Sequence, residues 1–73
     1  MLSDADTARR ISELMLDMGA RLDASVTLVR STCDDTEFIR YRTAIGGLMG
    51  AMLLEIMNPL YAAHPHLKPD GLK

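Results

Sequence analysis

Two histidines and an aspartate are the side chains in this sequence with the most potential as metal ligands. His64 and His66 stand two residues apart in a proline-rich stretch, and Asp70 follows them. Imidazole and carboxylate groups suit a metal ion, but no third histidine or cysteine stands nearby. A histidine near a helix C-terminus also interacts favourably with the helix dipole. The pattern therefore favours a structural role, and we predict no metal site and no cofactor.

Cys33 is the only cysteine, so no disulfide can form within one chain. A nucleophilic thiol needs a neighbouring base and thiolate activation, yet about one helix length separates Cys33 from the histidines. The sequence holds no paired carboxylates, phosphate-binding glycine loop or nucleophile motif. We therefore predict a protein that is not an enzyme and has no catalytic residue.

A third candidate is a small basic cluster made by Arg30, Arg40 and Arg42. Three acidic residues stand at the same end of the predicted structure and are expected to neutralise it: Asp34, Asp35 and Glu37. The net charge is −2 and the pI is near 5.5, which gives no electrostatic reason to bind nucleic acid or an anionic membrane. A nucleic-acid-binding regulator remains the alternative, because an RNA-binding regulator of plasmid copy number is similar in architecture.

The hydrophobic periodicity predicts two long helices. Apolar residues recur every three or four positions over residues 4–31, with acid–base pairs on the opposite face. Asp34, followed three residues later by Glu37, predicts the cap of a second helix over about residues 35–57. Asn58 and Pro59 then predict that the helix ends or kinks, followed by a short helix over about 59–63 and an extended tail at 64–73. Seventy-three residues allow a single domain, and the short connection predicts an antiparallel helical hairpin.

Residues 43–54 carry no charge and are the most informative stretch of the chain. A helix that is apolar around most of its circumference must be covered on most of it, and one partner helix is not enough. The run is shorter than the roughly 20 residues of a membrane span, so a membrane-associated helix pair ranks third. The glycines at 46 and 50 predict a close helix crossing with a second copy. The predicted dimer interface comprises Ile45, Gly46, Met49, Gly50, Leu53 and Met57.

The segment from Glu37 to Pro69, including Gly-Gly-Leu-Met-Gly and Glu-Ile-Met-Asn-Pro-Leu-Tyr-Ala-Ala-His-Pro-His, resembles small bacterial helical proteins of similar length. The resemblance covers about half of the chain and implies no activity, since such proteins have no assigned function.

The sequence as a whole predicts an all-α protein, a two-helix antiparallel hairpin that associates into a homodimeric four-helix bundle. The acidic N-terminus lacks a basic region followed by an apolar run, so we expect a cytoplasmic protein. Methionines number six, and they suit both irregular cores and adaptable binding surfaces. The predicted function is a non-enzymatic interaction protein: an adaptor, scaffold or regulatory subunit whose partners are itself and possibly another protein.

Overall fold

The computed structural model describes residues 1–70 and confirms an all-α protein. Helix α1 spans Ala5–Thr32 and helix α2 spans Asp35–Ala51. A π-helical segment, Met52–Met57, follows α2 without a break and leads into helix α3, Asn58–Ala63. A 3-10 turn at Pro65–Leu67 comes last. No strand occurs among these 70 residues.

The carboxylate of Asp4 caps the N-terminus of α1. It accepts hydrogen bonds from the Thr7 backbone N–H at 2.8 Å and from the Thr7 hydroxyl at 2.6 Å. These two hydrogen bonds hold the pKa of Asp4 below its ordinary value, because they favour the ionised carboxylate. In the sequence, Ser3 followed three residues later by Asp6 resembles a capping box, but the residue that caps the helix is Asp4, one position further along the chain.

Salt bridges stabilise the exposed face of α1, as the acid–base spacing predicts. The two predicted i,i+4 pairs are present, Arg10 with Asp6 at 3.1 Å and Arg21 with Asp17 at 3.2 Å. Arg9 also pairs with Asp6 at 2.8 Å and with Glu13 at 3.0 Å. All of these side chains are about half exposed or more, so solvent screens the pairs and each contributes little to stability.

The connection between α1 and α2 is short and well capped. Cys33 ends α1, with its N–H donating to the Val29 carbonyl at 2.9 Å. One residue later the Asp34 carboxylate accepts the Glu37 backbone N–H at 2.8 Å. The predicted cap of the second helix is therefore confirmed.

The second helix does not end at Asn58 and Pro59, although the helix type changes before them and the predicted short helix over about 59–63 corresponds to α3, Asn58–Ala63. Asn58 has helical dihedral angles, φ −61° and ψ −49°, and the helical run continues from Asp35 to Ala63. Proline lacks an N–H, and its ring clashes with the carbonyl four residues earlier. Here the preceding turns widen into a π-helix, and the Asn58 N–H donates to the Leu53 carbonyl, five residues back. Wider turns move the i−4 carbonyl out of the way of the ring, so the helix accommodates Pro59 and does not end.

Three hydrogen bonds link α1 and its N-terminal flank to the later part of the chain. The Ser25 and Tyr41 hydroxyls lie 2.8 Å apart, and the Ser12 and Tyr61 hydroxyls lie 2.7 Å apart. Nearer the N-terminus, His64 donates from Nε2 to the Leu2 carbonyl at 2.7 Å. Residues nearer the N-terminus thus form hydrogen bonds with residues nearer the C-terminus.

The hydrophobic core lies mostly between α1 and the π segment with α3. Its buried cluster consists of Ala8, Met15, Met52, Met57, Leu60 and Tyr61. Leu60 is the one large side chain that is completely buried among the described residues. The core is thus concentrated toward the end of the molecule that holds the chain N-terminus, because α3 packs there.

The tail differs in part from its prediction as extended chain over 64–73. Pro65–Leu67 forms a 3-10 turn, with the Leu67 N–H donating to the His64 carbonyl at 3.0 Å. The last part of the predicted tail, residues 71–73, lies outside the described residues.

Candidate interaction surface

An apolar groove runs between α1 and the helix that continues from α2 into the π segment. Its volume is about 410 Å³. Every lining residue is apolar: Met15, Leu16, Gly19, Ala20, Met49, Gly50, Met52, Leu53 and Met57. A groove without a hydrogen-bonding or charged side chain provides no group for acid–base or nucleophilic chemistry. It can bind another apolar surface.

Four of the six predicted interface residues meet in this groove. Met49, Gly50, Leu53 and Met57 form its second-helix wall. They recur at steps of one, three and four positions, which places them along one side of the helix.

The other two predicted interface residues do not line the groove. Ile45 is buried within the chain, and Gly46 is exposed on the surface. Met57, although it lines the groove, is also buried, so Ile45 and Met57 offer little side-chain area to a second copy.

The glycines of the second helix are not required by packing within one chain. Apart from its chain neighbours and the adjacent backbone of its own helix, a Cβ atom placed at Gly46, Gly47 or Gly50 would have no atom within 4 Å. At Gly19 on α1, by contrast, a Cβ would come within 3.9 Å of the Met49 methyl carbon. A mid-helix glycine costs about 0.5–1 kcal/mol relative to alanine. The single chain gives no packing reason for three of them within five positions.

Large apolar side chains remain exposed around the molecule. On α1, Leu14 and Leu16 are exposed on either side of the buried Met15. On the second helix, Ile39 is 51% exposed and Leu54 is 67% exposed. Single exposed apolar residues are ordinary, whereas apolar side chains next to an uncharged groove are typical of an interaction surface.

The histidines and the cysteine that could act as ligands or nucleophiles lie far apart, and His64 makes structural contacts. His64 bonds to the Leu2 carbonyl, and its ring meets that of His66 edge to face at 6.0 Å between centroids. Cys33 is exposed at the opposite end of α1. Because 28 helical residues separate these ends, about 42 Å lies between them. Within residues 1–70, no three potential metal ligands come together.

One arginine of the predicted basic cluster contacts an aromatic ring. Arg42 stacks over Phe38, with its guanidinium carbon 5.3 Å from the ring centroid. This geometry is a cation–π contact. One of the three arginines in the predicted basic cluster therefore already interacts with a side chain of its own helix.

The second helix meets the length and hydropathy criteria of a membrane span. It runs over 29 residues, from Asp35 to Ala63, and contains an 18-residue window of mean hydropathy 1.3. Only 22% of that window is buried inside the molecule. A core helix of a water-soluble protein would be mostly buried, so this surface is unusually apolar for its exposure.

Sequence reasoning missed the contribution of α1 to both the groove and the core. Leu16, Gly19 and Ala20 were not assigned to any surface, although their three- and four-residue spacing places them on one side of α1. Ser12 was also missed. It lies four residues after Ala8 and three before Met15, which places it on the core face. This spacing was the feature of the sequence that could have predicted its burial.

No known protein family, curated protein or solved structure matches this chain in the three comparisons made.

Proposed function

We propose that this chain is a non-enzymatic interaction protein that acts as a homodimer. In the proposal, each chain is an antiparallel helical hairpin, and two hairpins form a four-helix bundle in the cytoplasm. The bundle serves as an adaptor, scaffold or regulatory subunit for another protein. The single observation that carries the proposal is the open, uncharged groove that both helices line.

The hydrogen bonds between helices support the hairpin. Ser25 pairs with Tyr41 near the connection, and Ser12 pairs with Tyr61 near the other end of the molecule. When two helices run in opposite directions after a short connection, late residues of the first lie beside early residues of the second, and early residues of the first lie beside late ones. These two hydrogen bonds follow that arrangement.

The surface area supports association. The chain exposes 5220 Å², whereas a compact monomer of 8.1 kDa is expected to expose about 4500 Å². The excess, about 700 Å², is close to the roughly 800 Å² that each partner buries in a standard interface.

The elongated shape of the chain also supports association. Its radius of gyration is 14.4 Å, and its dimensions are 44 × 20 × 16 Å. A compact domain of 73 residues would have a radius of gyration of about 11 Å. An elongated pair of helices has the proportions of one half of a bundle.

Light scattering during size exclusion, in buffer without detergent, tests the proposal. We expect a particle mass of twice 8.1 kDa. A monomer at a chain concentration of tens of micromolar would overturn the homodimer.

A second candidate function is membrane association, because the second helix meets the criteria of a membrane span while its apolar window is mostly exposed. Flotation with phosphatidylcholine vesicles separates the two candidates. A detergent-free dimer that stays at the bottom of the gradient supports the bundle. A chain that needs detergent to stay in solution and floats with vesicles supports the membrane candidate.

A further inference from the structure

One face of the second helix combines glycines in open space with exposed apolar side chains. We call it the glycine face and define it as Ile39, Gly46, Gly50 and Leu54. These positions follow one another at steps of seven, four and four, so they lie along one side of the helix. Ile39 and Leu54 are the exposed apolar residues at its two ends.

No free polar side chain interrupts the glycine face. Thr43, seven residues before Gly50, lies on the same side, and its hydroxyl donates to the Ile39 carbonyl at 2.8 Å. The backbone therefore satisfies the one hydroxyl that would have to be desolvated in a contact. Leu53, which borders the face, also lines the groove.

Two charges of opposite sign flank the glycine face on one side. Arg40 follows Ile39 and Glu55 follows Leu54, so each charge stands next to an end of the face. Arg42 is nearer to the uncharged residues 43–54, but it stacks over Phe38. Within residues 1–70, neither Arg40 nor Glu55 forms a salt bridge. Both charges are therefore available to a partner.

These charges are placed almost symmetrically about the glycines. Arg40 stands eight residues before the midpoint between Gly46 and Gly50, and Glu55 stands seven residues after it. At 1.5 Å per residue Arg40 lies about 12 Å before the midpoint, and Glu55 lies at most about 10.5 Å after it, because the π-helical turns from Met52 onward rise less per residue. Two identical helices that cross antiparallel at this midpoint place Arg40 of each copy level with the partner's Glu55.

We infer that the glycine face binds a second copy of this chain antiparallel, with the two-fold axis between Gly46 and Gly50 and with Arg40 paired to the partner's Glu55. The inference deepens the proposed homodimer and rests on it. A parallel crossing would instead bring Arg40 beside Arg40 and Glu55 beside Glu55, and like charges in contact are destabilising. The absence of a Cβ atom at the axis lets the two backbones approach closely.

A distance measurement on the native protein tests the direction of the crossing. Cys33 is the only cysteine and is exposed, so a nitroxide label attached to it requires no substitution. In the antiparallel dimer each label lies about 20 Å or more from the axis, which places the two labels about 40 Å or more apart. In a parallel dimer the labels lie on neighbouring helix ends, within about 25 Å of each other including the label arms.

Pulsed electron–electron double resonance has three outcomes here. A distribution centred at the long distance supports the inference. A distribution at the short distance overturns the antiparallel crossing and leaves the homodimer intact. A sample without dipolar modulation, together with a monomer mass in light scattering, overturns the homodimer as well.

Charge reversal tests the pairing independently. We expect Arg40→Glu and Glu55→Arg each to raise the dimer dissociation constant about 2- to 10-fold, because two symmetry-related pairs at the rim are reversed. The double variant should restore the original constant. Arg30→Glu changes the net charge as Arg40→Glu does, but it lies on α1 and should have no effect. Loss in both single variants without restoration in the double variant would overturn the pairing.

Discussion

The hydroxyl groups of Ser12 and Tyr61 lie 2.7 Å apart in the buried core, where they link α1 to α3. Ser12 is only 4% exposed and Tyr61 only 5%. Either oxygen can donate, and no buried side-chain polar atom within the described residues lacks a partner. This hydrogen bond fixes the register of the two elements, because a shift of either helix would bury two unsatisfied hydroxyls.

We therefore expect Tyr61→Phe to destabilise the chain by about 1–3 kcal/mol, since it leaves the buried Ser12 hydroxyl without a partner. Chemical denaturation followed by circular dichroism measures the change. The double variant Ser12→Ala/Tyr61→Phe should lose less than the sum of the two single variants. Tyr41→Phe is the matched control. Its partner Ser25 also donates to the Leu22 carbonyl, so its loss should be smaller, and an equal loss would contradict the prediction.

Leu60 is completely buried, and its removal should reveal how much α3 contributes to the core. Leu60→Ala is expected to lower the free energy of unfolding by about 2–5 kcal/mol, through lost burial and the cavity left behind. Leu28→Ala removes the same atoms from a side chain that is 62% exposed and should change stability by less than about 0.5 kcal/mol. Similar losses in the two variants would show that α3 is not packed on α1.

Gly50→Leu should separate stability of the chain from association. Within one chain a Cβ at Gly50 meets nothing within 4 Å, and leucine is the better helix former, so the monomer should keep its helix content. At a close crossing the added side chain cannot be accommodated, so the dimer should dissociate in light scattering. Ala24→Leu adds a leucine at an exposed position of α1 and should leave the dimer intact. A Gly50→Leu variant that remains fully dimeric would place Gly50 outside the interface.

The cap of α1 predicts a loss of stability in acid. Hydrogen bonds from Thr7 lower the pKa of Asp4 from its ordinary value of 3.8. Because the pKa is lower in the folded state, the stabilisation is present above 3.8 and is lost as the pH falls through the folded value. Asp4→Asn retains an acceptor for Thr7 but does not titrate, so its melting temperature should fall less between pH 5 and pH 2 than that of the native chain. Parallel curves would contradict this role for Asp4.

Several parts of the fold follow from local sequence alone. The cap at Asp34 was predictable because an acidic side chain three residues before the Glu37 N–H satisfies a helix end without help from the rest of the chain. The bounds of α1 also follow from local periodicity and spacing. Met49, Gly50, Leu53 and Met57 could be grouped in advance, because positions on one helix share a face regardless of tertiary contacts.

The tertiary structure decided the features that depend on two distant segments. Whether Pro59 ends a helix depends on how the turns before it are held, and here they widen to place Leu60 and Tyr61 against α1. The burial of Ser12 depends on a tyrosine 49 positions away. The groove is likewise a space between two helices, and no pattern within α1 indicates that Leu16, Gly19 and Ala20 form one of its walls. Local sequence therefore specifies the helices, the cap at Asp34 and the apolar faces, because those depend on neighbours along the chain. Which faces meet and which stay open depends on contacts between distant segments, so these features emerge in the folded chain alone.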